Sequence, residues 1–132
     1  MKYIILGIIS RKSKNVKQYL LVSSVLNYGK YTNFYYPPGG QLKKGENEKL
    51  FLTNKIKDEL GIVVTPEKRL ARSAADVKGA LIHWWSCNAD TSKLKMNPKR
   101  LSNYKWFSRE KLLNYKHVWP ATKKFFEQYT SD

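Results

Sequence analysis

Two early stretches, residues 2–9 and 18–26, are nearly unbroken runs dominated by Ile, Val and Leu. Runs of that length without strict polar alternation predict strands buried on both faces. Between them Arg11-Lys12-Ser13-Lys14-Asn15 is polar throughout and predicts a hairpin loop. Residues 27–33 are turn-like, and Phe34-Tyr35-Tyr36 predicts a short strand stopped by Pro37-Pro38. The period then changes. Phe51 or Leu52, Ile56 and Leu60 recur at helical spacing, with Asn47 placed as N-cap and Gly61 as C-terminal cap. Glu48 falls in the first turn, where a carboxylate suits the positive end of the helix. Residues 62–64, 70–77 and 80–87 predict further strands, residues 89–103 a basic loop without apolar rhythm, and Tyr104-Lys105-Trp106-Phe107 a short strand. Ser108 predicts the cap of a helix starting over residues 109–113. Trp119-Pro120 opens a last helix in which Ala121, Phe125 and Tyr129 share a face. Strands interrupted by one central helix and closed by a terminal one predict mixed α/β layers. No repeat, linker or low-complexity stretch divides the chain, so residues 1–132 predict one domain.

Composition narrows the class. The chain has 132 residues, enough for one domain with a real core and too few for two ordinary ones. An apolar share of 42% suits a globular protein rather than a disordered one. Cys87 is the single cysteine, which excludes an intramolecular disulfide and a cysteine-based zinc site and fits a reducing compartment. The apolar first ten residues are too short to span a bilayer, and charges follow that run rather than lead it. They predict a buried strand, a cytoplasmic protein and no membrane partner. The net charge of +15 is spread over both halves of the chain. Alone it supports solubility and general attraction to polyanions, but not a specific partner. The acids are distributed differently. Four of the ten, Glu46, Glu48, Asp58 and Glu59, lie within fourteen residues. A basic chain that gathers its carboxylates in one segment points to a cation site there.

That segment carries the one spacing that speaks about chemistry. A turn at Pro38-Gly39-Gly40 leads through a short loop to Glu46, then into a helix ending in Asp58, Glu59 and Gly61. The arrangement resembles the Nudix box: Gly, five residues, Glu, seven residues, then Arg-Glu-apolar-x-Glu-Glu-x-Gly-apolar. Gly40, Glu46, Ile56, Asp58, Glu59, Gly61 and Ile62 fall in register without a gap. Two positions depart from the pattern. Asn54 stands where the family has Arg, and Lys55 where it has a catalytic Glu.

The resemblance covers nearly the whole chain and implies an α/β fold, a Nudix-like α/β/α sandwich with a mixed sheet. It also implies a loop-helix-loop that holds Mg²⁺ or Mn²⁺ against a pyrophosphate, with Asp58, Glu59 and a backbone carbonyl of Gly39 or Gly40 as ligands. Such an ion takes hard oxygen donors, leaves positions for water and phosphate, and lowers the pKa of the attacking water. Glu46 would support the loop or reach metal through water. Tyr36, Gly39, Gly40 and Lys55 are the positions expected against substrate, and Asp58, Glu59 and Glu46 those expected to act in catalysis. Lys55 alters this picture. It swings the centre of the cluster by two charge units, reaches Asp58 and Glu59 at three and four residues on, and can occupy the cation site itself. A two-metal arrangement then gives way to one ion on Asp58, Glu59 and a carbonyl, with Glu48 as a compensating ligand from the helix start.

The remaining candidates have plainer readings. His83 lies in an apolar run and predicts a core or sheet-face histidine, His117 a surface or capping one, and Cys87 a small buried side chain. Tyr31, Phe34, Tyr35, Tyr36, Trp84 and Trp85 come from segments that the resemblance sets near a substrate cleft, where a ring stacks on a base. For any single one, core is the simpler expectation. Arg11, Lys12, Lys14 and Lys17 suit phosphates or merely a polar hairpin. Two functional readings lead. One is a protein that binds a nucleoside diphosphate linked to another group, with weakened metal-dependent pyrophosphate hydrolysis. The other is an inactive module of the same fold that binds nucleotide or RNA. A regulatory or protein-interaction domain is the third.

Overall fold

The computed structural model describes residues 1–129. The last three residues of the expected domain, 130–132, lie outside the described residues. Among the described residues, seven strands form two sheets. In the first, the order is β4 (Gly39–Gln41), β1 (Lys2–Ile8), β6 (Ala80–Ala89) and β5 (Val64–Ala74), with β1 and β6 parallel and the outer pairs antiparallel. The second is antiparallel, in the order β2 (Ser10–Ser13), β3 (Val16–Ser24), β7 (Leu101–Ser108). Helix α1 spans Glu48–Leu60, α2 Arg109–Asn114 and α3 Pro120–Gln128. The mixed sheet expected from sequence is present, and a second, smaller sheet accompanies it.

The unbroken apolar runs have a direct physical reason. Alternate residues of each strand point to opposite faces, and here both faces are covered. Leu6 and Ile8 of β1 and Tyr19 and Leu21 of β3 join a core with Trp84, Leu112, Phe125 and Phe126, on the side of α2 and α3. Ile5 of β1, the following Ile9, and Leu20 and Val22 of β3 join another with Leu52, Ile56 and Leu60 of α1. Trp84 stacks on Phe125 with ring centroids 4.2 Å apart, fixing α3 to the sheet. Gly7 sets the distance on the other side. A Cβ there would lie 3.0 Å from Cys87 Sγ and 3.2 Å from Ile56 Cδ1, so its absence lets α1 press close to β1.

Helix α1 is bounded as its sequence predicts. The Asn47 side chain accepts from Leu50 N–H at 3.0 Å, and Gly61 ends the helix in the left-handed region. The expected basic loop also contributes. Lys95 N–H donates to Leu60 O and Asn97 N–H to Glu59 O, pairing carbonyls at the helix end. Ser108 caps α2 by accepting from Lys111 N–H, as expected, and Pro120 begins α3.

Several boundaries differ from expectation. The hairpin loop narrows to Lys14-Asn15, both with positive φ, and Arg11–Ser13 pair within β2. Phe34-Tyr35-Tyr36 makes only isolated bridges, Tyr36 to Val22 and Tyr35 to Val118. Gly39 and Gly40, expected in a turn, begin β4, and β7 starts at Leu101 rather than 104. Residues 62–64 and 70–77 do not form separate strands. Val64–Ala74 is one strand, interrupted in register at Pro66/Lys68 and Arg69/Ala71. Proline cannot donate to the ladder and sits in sheets at edges and bulges, both of which apply to Pro66.

Candidate functional site

A cavity of about 480 Å³ opens along one face of the first sheet. Its floor includes Ile4 and Leu6 of β1, Gly39 and Gly40 of β4, and Ile82 of β6; its walls come from α1, the start of α3 and the segment after β3. Lys55 and Glu59 line it from α1, Tyr36 from the segment before β4, Trp119 from the N-cap of α3, and Lys99 and Arg100 from the segment before β7.

Gly39 has its backbone at φ 149°, and a Cβ there would lie 1.9 Å from Ile5 O. Only glycine permits β4 to pair against β1 at this point. Gly40 is in contact with the stem of Lys55: a Cβ on it would meet Lys55 Cε at 3.2 Å. The lysine therefore crosses the strand that would offer a backbone carbonyl. Its Nζ ends 3.5 Å from Glu59 Oε2, with a third of the side chain exposed. Glu59 is only 5% exposed, and its Oε1 has no hydrogen-bond partner. Burial raises the Glu59 pKa above the ordinary carboxylate value despite the opposing charge of Lys55. Tyr36, hydrogen-bonded to Ser24, has its phenol pKa pushed well up, first by burial and then by the negative field of Glu59.

Of the residues singled out from sequence, Tyr36, Gly39, Gly40, Lys55 and Glu59 thus meet at the cavity. Asp58 and Glu46 do not. Asp58 is half exposed and pairs with Arg100, Oδ2 to Nε at 3.5 Å. Glu46 Oε1 accepts from Lys43 N–H at 2.9 Å and braces its own loop. Glu48 is not a compensating ligand, because its carboxylate is committed on the opposite side of the sheet. It accepts from His83 Nδ1 and from Trp85 Nε1, each at 2.9 Å. Burial pushes the Glu48 pKa up, but the hydrogen bonds from Trp85 and His83 outweigh it and hold the group below its usual value. His83 itself is buried, as its apolar surroundings predict, and His117 is exposed. Cys87 is partly buried, with its thiol pushed up to about 12, first by burial.

Among the aromatics expected near a cleft, only Tyr36 lines the cavity. Tyr35 and Trp84 belong to the core, and Trp85 serves Glu48. The rings that do face the cavity with Tyr36 are Tyr28 and Trp119, which meet edge-on at 5.5 Å; Tyr31 supports Trp119 from behind at 4.6 Å. Sequence reasoning used Trp119 only as a helix opener, although its N-cap position next to Pro120 already placed it at an element end where sites gather.

The donor set does not fit Mg²⁺ or Mn²⁺. Among the described residues no group of three or more His, Cys, Asp and Glu side chains could hold a metal ion. Glu59 brings one carboxylate, already facing an ammonium, and Asp58 faces a guanidinium. A small hard dication needs several oxygens converging without a competing cation.

No protein-family model matches the chain, and no curated protein matches it in sequence. Solved structures do match in shape. A MutT protein from Methanosarcina mazei Go1 superposes with a TM-score of 0.76 at 21% identity, over 96% of this chain and 89% of that one. A MutT NUDIX hydrolase from Burkholderia pseudomallei gives 0.73 at 18% identity, over 98% of both chains. A C. elegans Ap4A hydrolase gives 0.74 at 17%, over 96% and 93%. No helix among the described residues is long and apolar enough to cross a membrane. Superposition over nearly the whole of each chain shows that this chain has the Nudix fold.

Proposed function

We propose that this protein binds a nucleoside diphosphate linked to another group, in the cavity between α1 and the start of α3. The observation that carries this reading is the cavity's make-up: cationic Lys2, Lys55, Lys99 and Arg100 share one concave surface with Tyr28, Tyr36 and Trp119. Ammonium and guanidinium groups suit phosphate oxygens, and flat rings suit a base. Its volume falls in the range of small-molecule sites. The likeness to an Ap4A hydrolase and to MutT proteins supports a nucleotide-type ligand. On this reading binding dominates, and pyrophosphate hydrolysis is slow or absent, because the carboxylates that would gather a metal are paired with cations. RNA is the less favoured ligand: a bounded cavity suits a small nucleotide better than a strand.

The test is a panel of nucleoside diphosphates, nucleoside diphosphate sugars and dinucleoside polyphosphates, followed by calorimetry and by product analysis on the same samples. The expected result is saturable binding of a subset that is weakened when Trp119 is replaced by Ala. Rapid Mg²⁺-dependent hydrolysis, or no binding by any member, would remove the proposal.

A further inference from the structure

Lys55 occupies the place where the sequence pattern leads one to seek a metal ligand, and its contacts give it a positive role there. Its stem lies against Gly40, and its ammonium is 3.5 Å from the buried Glu59. Glu59 Oε1 has no hydrogen-bond partner, and Lys55 is the cation paired directly with this carboxylate, through Oε2, while Arg100 adds a weaker field from the same cavity wall. The surrounding charge has the same sense. Lys2, Lys55, Lys99 and Arg100 line the cavity against the two acids Glu59 and Asp76. Such a surface repels a free dication and attracts a polyphosphate.

We propose that the Lys55 ammonium replaces the divalent ion as the phosphate-binding charge, so that this cavity takes a diphosphate group without metal. The inference deepens the nucleotide-binding reading and rests on it for the identity of the natural ligand, though not for the diphosphate itself. Glu59 acts as a positioning residue: it holds the ammonium over Gly40 while other N–H donors of the same group remain for phosphate oxygens. Asp58 does the equivalent for Arg100, which lines the cavity. A lysine supplies one positive charge and up to three donors, but it does not coordinate a water and lower its pKa as a bound dication does. The substitution therefore preserves anion binding and withdraws the chemistry that would cleave it.

The experiment uses inorganic pyrophosphate, ADP and Mn²⁺ as separate probes on the full chain. Calorimetry with pyrophosphate is run in EDTA and again in Mg²⁺, on wild type, Lys55→Met and Lys55→Glu. The expected result is equal affinity in EDTA and in Mg²⁺ for the wild type, and a loss of about tenfold or more in Lys55→Met. Mn²⁺ alone, followed by its electron paramagnetic resonance signal, is expected to stay free with wild type and to be taken up by Lys55→Glu. The inference is overturned if wild type binds Mn²⁺ alone, if pyrophosphate binding needs metal, or if Lys55→Met binds pyrophosphate as wild type does. Lys55→Met keeps the test decisive should Lys55→Glu, with two adjacent carboxylates, fail to fold. Failure of the nucleotide reading looks different. If ADP binds no tighter than pyrophosphate while the Lys55 dependence persists, the role of Lys55 stands and the nucleoside part falls.

Discussion

Glu48 illustrates how one residue can be assigned to the wrong face by spacing alone. It shares a helix stripe with Leu52, and from sequence that placed it within reach of a metal cluster. In the fold the same side chain turns to β6, where His83 and Trp85 both donate to it and Arg69 of β5 adds a favourable field. A lowered pKa means that the folded state prefers the charged carboxylate more than the unfolded chain does. Its stabilising contribution is therefore present above the ordinary value of 4.5 and is lost as pH falls through the lower folded value. Glu48→Gln should cost about 2 kcal/mol at pH 7, in line with hydrogen bonds to a charged group. Urea denaturation at a series of pH values should show that gap narrowing under acid conditions. A gap that stays constant would mean that the charge contributes nothing. Lys55 and Glu59 were legible from the sequence because they sit in the register of a known spacing. Tyr28 and Trp119 were not, because residues ninety-one apart share a wall only after α3 has packed on Trp84.

At the scale of elements, α1 is the part whose local signals all agreed: cap, period, first-turn acid and terminal glycine. Removing one of them gives a measurable cost. Asn47→Ala should lower stability by about 1 kcal/mol, the usual value for an N-cap that bonds the first turn, as read from the denaturation midpoint at unchanged slope. An unchanged midpoint would mean that water replaces the cap without loss. The strand that sequence reasoning split, β5, shows the opposite case. Its inner residues alternate poorly, it carries Glu67, Lys68 and Arg69 in succession, and Pro66 argues against a ladder. Pairing with β6 overrides those local preferences, and the two register shifts absorb the misfit. The segment before β7 has a similar lesson. Without apolar rhythm it resembles a plain loop, yet its backbone N–H groups complete the end of α1. Backbone bonding of that kind leaves no trace in side-chain pattern.

Over the whole molecule, two cores, each built from strands of both sheets, have to be satisfied together, and the candidate site lies where they meet at Tyr36, which packs against both. Mixed α/β layers were readable because both faces of β1 and β3 are apolar, and the helices from their caps, while the order of the layers came from the resemblance. The cavity was not readable, since its lining comes from seven separate stretches of the chain. Gly7 does not line that cavity; it lies under the middle of α1, where Ile56 and Leu52 press on it. It works as a shim between helix and sheet. Gly7→Ala adds one methyl against Cys87 and Ile56, and those neighbours must give by a few tenths of an ångström. Because Ile56 is next to Lys55, such a lift tilts the ammonium's seat over Gly40. Pyrophosphate affinity is expected to fall in this variant while its far-UV circular dichroism stays that of the wild type. An affinity equal to wild type would show that the sheet side chains, not the helix, absorb the methyl. The expected fall would mean that the thickness of a missing side chain calibrates a charge one residue away along the helix.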